Sequence, residues 1–372
     1  MDVISLCSAL IKCKSITPAD DGAQGLIAQF LAAAGFEITE LTFRSPDGAN
    51  EIKNLFAQYG ASGGKSLGFL GHSDVVPAGE SWESDPFSPL QKDGYLVGRG
   101  VSDMKGGIAA FCCAAAQFVR EKFDGSICFL ITGDEEVGSR EGAQSLLKWC
   151  SDAGRLPRDF IIGEPASHSK LGDNVYLGHR GSLNVVVESI GLQGHSAYPA
   201  NFKNSLAAVC QYVAHMLNYQ WKYEDLRFPC THLEPTLLFT NNYATNVVPD
   251  RTSANLNIRF GADYSSRTIE EVMTTEARGY GLTLDFHRSG EPFYCDPKEL
   301  KGIFAACIKD VVKVTPKFSA AGGTSDGRFI PSTCNIIEFG LLDDCLHQKN
   351  EKAKLDDIRN LEKIYLEFLK RY

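Results

Sequence analysis

GHSDVVPAG (71–79) and GRGVSDMKGG (98–107) decide how this chain is read. An apolar run, 66–70, delivers His72 and Asp74 just past its end, and Asp103 stands in a second glycine-rich turn ahead of an Ala-rich helical segment. Polar groups just beyond a strand are how ligand-bearing edges of α/β sheets are built. A neutral imidazole at His72 suits a zinc ion. Asp74, two positions on, is placed to accept the other ring N–H and so fix tautomer and orientation. A carboxylate such as Asp103 has two oxygens, and each can hold one ion of a pair about 3.5–4 Å apart. Taken singly, His72 also reads as a satisfied loop histidine, and Asp103 as the N-cap of a helix beginning near Met104.

The surrounding pattern favours the metal. Residues 2–13 and 22–34 carry apolar positions at helical spacing, the second closed by Gly35, and 36–43, 54–59 and 67–70 read as strands. A helix over 104–120 precedes 126–132, an almost continuous apolar run that suits a strand buried on both faces. A helix over 141–149 and a short strand over 160–162 follow. This alternation predicts an α/β sheet with helices on both sides. His72, Glu135 with Glu136, and Glu164 each follow an apolar strand directly, and His347 follows a strand over 335–339. Each alone fits a turn, a cap or a surface loop; jointly they predict a metal site at the carboxyl edge of the sheet.

Two ions bridged by Asp103 and a hydroxide need roughly one more histidine and one more carboxylate each, which this inventory supplies. Such a site suits amide hydrolysis. One carboxylate must stay off the metals as general acid/base. Of Glu135 and Glu136, one is that base and the other a ligand; the residues alone leave the choice open.

From Gly178 the pattern changes to strand 183–190, helix 204–217, strands 236–240 and 252–260, helix 268–278 and strand 282–287. That order is the ferredoxin-like split arrangement. The expected organisation is a catalytic domain in two parts, 1–178 and 293–372, with 179–292 inserted. The second part holds a helix over 299–312, the glycine-rich loop 322–327 and a closing amphipathic helix over 356–369.

Composition narrows the partners. The 372 residues carry a net charge of −9 without a basic cluster, which argues against nucleic acid. The longest apolar stretches fall short of the roughly 20 residues of a membrane span. The first residues lack the character of a signal or transit peptide, so the expectation is a cytoplasmic protein. Twelve cysteines without a C-x-x-C pair read as reduced, structural thiols rather than redox centres.

The motifs GHSDVVPAG (71–79), GRGVSDMKGG (98–107), TGDEEVGS (132–139), GEP (163–165), HRG (179–181), GHSAYP (194–199), ATNVVP (244–249), GGTSDGRF (322–329) and HQKNE (347–351) run in order along nearly the whole chain. In them the chain resembles the succinyl-diaminopimelate desuccinylase family of the di-zinc aminoacylase and carboxypeptidase superfamily. The first four specify only the superfamily; HRG, GHSAYP and GGTSDGRF point to the desuccinylase branch.

The resemblance implies a zinc-peptidase-like mixed sheet flanked by helices, with an inserted ferredoxin-like α+β dimerisation domain. It implies two zinc ions per subunit, the second site open to cobalt or another divalent metal. Asp103 bridges them, His72 and Glu164 complete one, Glu136 and His347 the other, and Glu135 is the base. It implies a homodimer in which His195 reaches the partner subunit's active site to stabilise the oxyanion. Substrate contacts carried over are Arg180, Tyr198, Asn246, Arg259, Ser289, Gly323 and Thr324, the arginines suiting a substrate with several carboxylates. The implied reaction converts N-succinyl-LL-2,6-diaminopimelate and water to succinate and LL-2,6-diaminopimelate, in lysine and diaminopimelate biosynthesis.

The chain departs from that family at Asp343, where an asparagine is usual, and over 344–346 and 240–243. An inward-pointing Asp343 would repel a substrate carboxylate. The competing readings are another di-zinc amidase, such as a deacetylase or dipeptidase, and a non-catalytic metal-binding scaffold.

Overall fold

A strand that is almost continuously apolar has to be covered on both faces, and Ser126–Thr132 is buried along its whole length. In the computed structural model, which describes all residues except 46, 47, 49, 50, 62, 63, 122 and 139, this strand lies inside an eight-stranded mixed sheet. The order is Glu37–Arg44, Glu51–Gly60, Ser126–Thr132, Ser66–His72, Asp159–Ile162, Asn335–Glu338, Asn174–Tyr176 and Lys317–Ser319. The four strands from Ser126–Thr132 to Asn335–Glu338 run parallel, with His72 opposite Thr132 and Ile162 opposite Glu338. Their carboxyl ends therefore share one edge, where an open α/β sheet binds its ligands.

Helices cover the sheet. Phe69 stacks on Phe111 of helix Gly106–Phe118 at 4.4 Å between ring centres, and Phe111 meets Tyr365 of helix Leu355–Arg371 edge-on at 5.3 Å. The buried Tyr365 hydroxyl donates to the Phe339 carbonyl at 2.5 Å, so this large side chain leaves no polar atom unsatisfied. The helix after Asp103 begins at Gly106, later than the 104–120 periodicity predicts, because Asp103 and Met104 have non-helical backbone angles. Asp103 is therefore not an N-cap. The close approach of this helix to the sheet edge needs glycine: a Cβ at Gly107 would lie 2.5 Å from the Gly163 carbonyl oxygen.

The described chain divides into two compact units, one of Met1–Gly178, Cys295–Ser319 and Ser325–Tyr372, the other of His179–Tyr294 and Ala320–Thr324. In the second, strands Gly181–Ile190, His232–Thr240, Arg251–Phe260 and Leu282–Gly290 form an antiparallel sheet, with helices Ser205–Leu217 and Ser266–Ala277 in the connections. Its order, with Arg251–Phe260 and Gly181–Ile190 central, is that of the ferredoxin-like split arrangement. One face buries Leu183, Val185, Val187, Leu256 and Ile258 with Val209 and Tyr212. Strand His232–Thr240 starts earlier than the alternation predicts and carries Pro235 at a register shift. It tolerates the missing amide because it is an edge strand.

Candidate metal centre

Each polar residue just past a parallel strand is delivered to the same place in the first unit. His72 Nε2 lies 3.0 Å from Asp103 Oδ1 and 3.4 Å from Glu164 Oε1. His347 Nε2 lies 3.2 Å from Asp103 Oδ2 and 3.3 Å from Glu136 Oε1. One carboxylate thus faces two histidines with its two oxygens, and each histidine has a carboxylate of its own. Single ligand atoms of His72, Asp103 and Glu136 all lie within 4.8 Å of one another. The five residues expected as ligands are brought together, and a set of imidazole nitrogens and carboxylate oxygens suits zinc and similar divalent ions.

The electrostatics fit a site built for cations. Burial, with the charge of Asp103 adding to it, pushes Glu164 up to about 8. Burial also works against a charged Asp103, but hydrogen bonds from His347 and His72 outweigh it and hold this carboxyl well below the usual range. His347 is pushed up to about 10 by its hydrogen bonds to Asp103 and Glu136. Burial opposes a charge on His72 too, yet Glu164, Asp103 and Asp74 together raise it well above its ordinary value. Protons thus hold places that divalent ions would take.

Loading the protein with zinc near neutral pH is therefore expected to release protons. The apparent affinity should rise with pH through the region near 10 in which His347 gives up its proton. Calorimetric titration in buffers of different ionisation enthalpy measures this, and a heat independent of the buffer would contradict it.

Asp74 does more than its sequence position predicts. His72 Nδ1 lies 2.9 Å from the Asp74 carbonyl oxygen, whereas the carboxylate stands 3.5 Å away. The main chain therefore fixes the ring, leaving Nε2 for the ligand position. The Asp74 carboxylate also accepts the amides of Glu135 and Glu136, at 3.3 and 3.2 Å, and so holds the turn that presents both glutamates. Glu136 points at His347, while Glu135 Oε1 faces Arg328 at 3.9 Å. Burial and the nearby Asp326 raise Glu135 well above the usual carboxylate range. Asp326 in turn accepts from Thr132 Oγ1 at 3.2 Å.

Asp326 and Arg328 belong to the quoted GGTSDGRF motif but receive no role from sequence. The signal was there: charged residues in a glycine-rich loop have few reasons to be buried. Asp343 pairs with His168 Nδ1 at 2.8 Å, so its charge already has a partner within the first unit.

The remaining expected residues lie in the second unit and fall into two groups. Arg259 donates to Thr324 Oγ1 at 3.1 Å and to Asn257 at 3.0 Å. Asn257 donates to Asn184 at 2.8 Å, and Asn184 to Ser289 at 3.1 Å. Arg180 reaches His232, which is opposite Arg259, at 3.3 Å, and Gly323 adjoins Thr324. His195, Tyr198 and Asn246 form the other group. Gly194–His195 pairs with Val247–Val248, Ser196 donates to the Asn246 carbonyl at 3.0 Å, and the rings of His195 and Tyr198 are 5.5 Å apart. The first group sits at the Gly181/Phe260 end of the sheet, the second beyond the Ile190/Arg251 end. At about 3.3 Å per residue the intervening strand spans about 30 Å.

All twelve cysteines are unbridged. Burial pushes Cys7, Cys113, Cys128 and Cys150 up to about 12, the wrong direction for reactive thiols. No helix among the described residues is long and apolar enough to cross a membrane.

The family model described as Peptidase family M20/M25/M40 matches residues 68–371, and the chain belongs to that family. Membership makes it a hydrolase. Among curated relatives it is 39% identical over 374 residues to a succinyl-diaminopimelate desuccinylase of Zymomonas mobilis, covering 100% of this chain and 98% of the relative. To that of Paracoccus denitrificans it is 35% identical over 383 residues, covering 100% and 98%. Among solved structures, an M20 family metallo-carboxypeptidase from Sulfolobus solfataricus superposes with a TM-score of 0.83 at 17% identity, covering 100% of this chain and 99% of that one. A tripeptidase from Staphylococcus aureus gives 0.81 at 19%, covering 99% and 97%. The two structures share the fold.

Proposed function

We propose that the chain hydrolyses N-succinyl-LL-2,6-diaminopimelate to succinate and LL-2,6-diaminopimelate at a dinuclear zinc centre, as a homodimer of the cytoplasm. The observation that carries the dinuclear reading is the Asp103 carboxylate, with His72 on one oxygen at 3.0 Å and His347 on the other at 3.2 Å. Each histidine has its own glutamate, Glu164 or Glu136. The choice of substrate rests on the names of the full-length relatives.

When bound, the ions supply Lewis acidity, polarising the amide carbonyl and making water a better nucleophile. Glu135 takes the proton of the attacking water and returns it to the leaving nitrogen, so the C–N bond breaks to a carboxylic acid and an amine. Asp74 holds Glu135 in place through its amide at 3.3 Å. A raised carboxyl pKa suits a group that must both take and give a proton near neutrality. Arg259, with Thr324 and Ser289 in the same hydrogen-bonded track, binds a substrate carboxylate; its guanidinium is partly desolvated, which strengthens such a pair.

His195, Tyr198 and Asn246 lie about 30 Å along the sheet from that track. A small substrate held by Arg259 cannot reach them in the same chain, so they serve the partner's site. The dimer surface includes edge strand His232–Thr240, whose Leu237, Leu238 and Phe239 are exposed. A bare apolar edge invites pairing with a second chain.

The direct test offers the succinylated substrate beside N-acetylornithine and a dipeptide to zinc-loaded protein. Preference for the first by about 10²-fold or more in kcat/KM is expected, since a site built around a charged group rejects analogues that lack it. Turnover of only the acetylated compound or the dipeptide would keep the hydrolytic centre and discard the desuccinylase reading. No turnover of any, with metal bound, would favour a binding scaffold.

A further inference from the structure

Arg99 and Glu351 form a buried ion pair at 2.8 Å in the first unit, 2% and 1% exposed in their side chains, and neither is a metal ligand or general base in the reading above. Burying two charges costs much of what their attraction returns, so such a pair is a poor source of stability. Its hydrogen bonds show what it does organise. Glu351 Oε2 accepts the Gly100 amide at 2.9 Å, and Oε1 accepts the amides of Ser102 at 2.8 Å and Asp103 at 3.3 Å. Arg99 Nη1 donates to the Gln348 carbonyl at 3.2 Å, and Nη2 to the carbonyls of Ala78 at 3.2 Å and His347 at 3.5 Å. The guanidinium also lies over the Trp82 ring, 5.1 Å from its centre, while the indole donates to Ala78 at 2.7 Å.

Three segments therefore meet on one ion pair: the loop after His72, the turn presenting Asp103 and the loop presenting His347. The last needs holding, because His347 and Asn350 adopt φ of 59° and 56°, a region that disfavours residues with a Cβ.

We infer that Arg99 and Glu351 are positioning residues for the dinuclear centre, setting the separation between the His347 arm and the bridging Asp103. The two act on different arms. Glu351 fixes the amide of Asp103 itself, on which both ions depend. Arg99 fixes the carbonyls around His347, on which only one ion depends. The inference rests on the dinuclear reading, and its test separates the two.

Metal-free wild type, Arg99→Lys and Glu351→Gln are titrated with zinc in competition with a chelator, and the thermal unfolding of each metal-free form is recorded. Lysine keeps the charge beside Glu351 but cannot fork to three carbonyls. Arg99→Lys is expected to weaken one ion by about 10–100-fold while the other stays within about 2-fold. Glu351→Gln turns an NH2 toward backbone amides that need an acceptor, and is expected to weaken both. Unchanged affinities in Arg99→Lys with a lowered melting temperature would make the pair structural only and overturn the inference. Equal weakening of both ions in that variant would also overturn it. Should Glu351→Gln not fold, Arg99→Lys decides alone. A wild type that binds fewer than two ions overturns the dinuclear reading, and this inference with it.

Discussion

Glu135→Gln is expected to keep its full metal content and lose about 10²–10⁴-fold in kcat, the contribution of a positioned general base. Glutamine keeps the shape of the side chain, and the turn is held through the main chain, where Asp74 accepts the Glu135 and Glu136 amides. Only the ability to take a proton is lost. Glu136→Gln should behave in the opposite sense, because Glu136 Oε1 stands 3.3 Å from His347 Nε2 and shares that ion's position. It should lose one metal first and activity as a consequence. Metal analysis beside single-turnover kinetics checks both variants; zinc lost from Glu135→Gln and kept in Glu136→Gln would exchange the two roles.

His195→Ala is expected to lower kcat by about 10²–10³-fold with little change in stability, the loss typical of one oxyanion donor. The ring is exposed, and its Nδ1 accepts the Ala197 amide at 3.1 Å. A neutral ring used in this way carries its proton on Nε2, the donor an oxyanion requires. Mixing inactive His195→Ala with inactive Glu135→Gln gives heterodimers in which one site has an intact base and receives an intact histidine. Random exchange makes half the dimers mixed, each with one working site of two, so about a quarter of wild-type activity should return. Activity assays on the mixture measure it, and separated heterodimers should show about half of the wild-type value. No recovery there would place His195 outside the partner's site.

The sequence makes the donor set legible because its signals are local. A run such as 126–132 is apolar at every position between Ser126 and Thr132, so it must be an interior strand, and whatever polar residue comes next must emerge at its carboxyl end. That logic finds His72, Glu135 with Glu136, and Glu164 without any knowledge of neighbours. It cannot choose between Glu135 and Glu136, because adjacent residues share one signal. The choice depends on which side chain the turn aims at His347, and His347 arrives from a strand more than two hundred residues away.

Long-range pairings were also hidden. Asp74 reads only as the partner of its near neighbour His72, but its carbonyl at 2.9 Å is the nearer acceptor and its carboxylate also holds the Glu135–Glu136 turn. Asp343 reads as a stray charge until His168 is found beside it at 2.8 Å. Arg99 and Glu351 stand in quoted motifs, yet no spacing rule connects positions 99 and 351.

The alternation of strands and helices, the split arrangement and the identity of the groups at the strand ends are therefore legible in the residues alone. These follow from side-chain periodicity over a few residues and from the chemistry of each side chain. Which glutamate faces which histidine, where Asp74, Asp343 and Arg99 make their hydrogen bonds, and how far His195 lies from Arg259 along the sheet emerge only from the folded chain. Those outcomes depend on the register of strands distant in the chain and on the need of every buried charge for a partner, and neither is written in local periodicity.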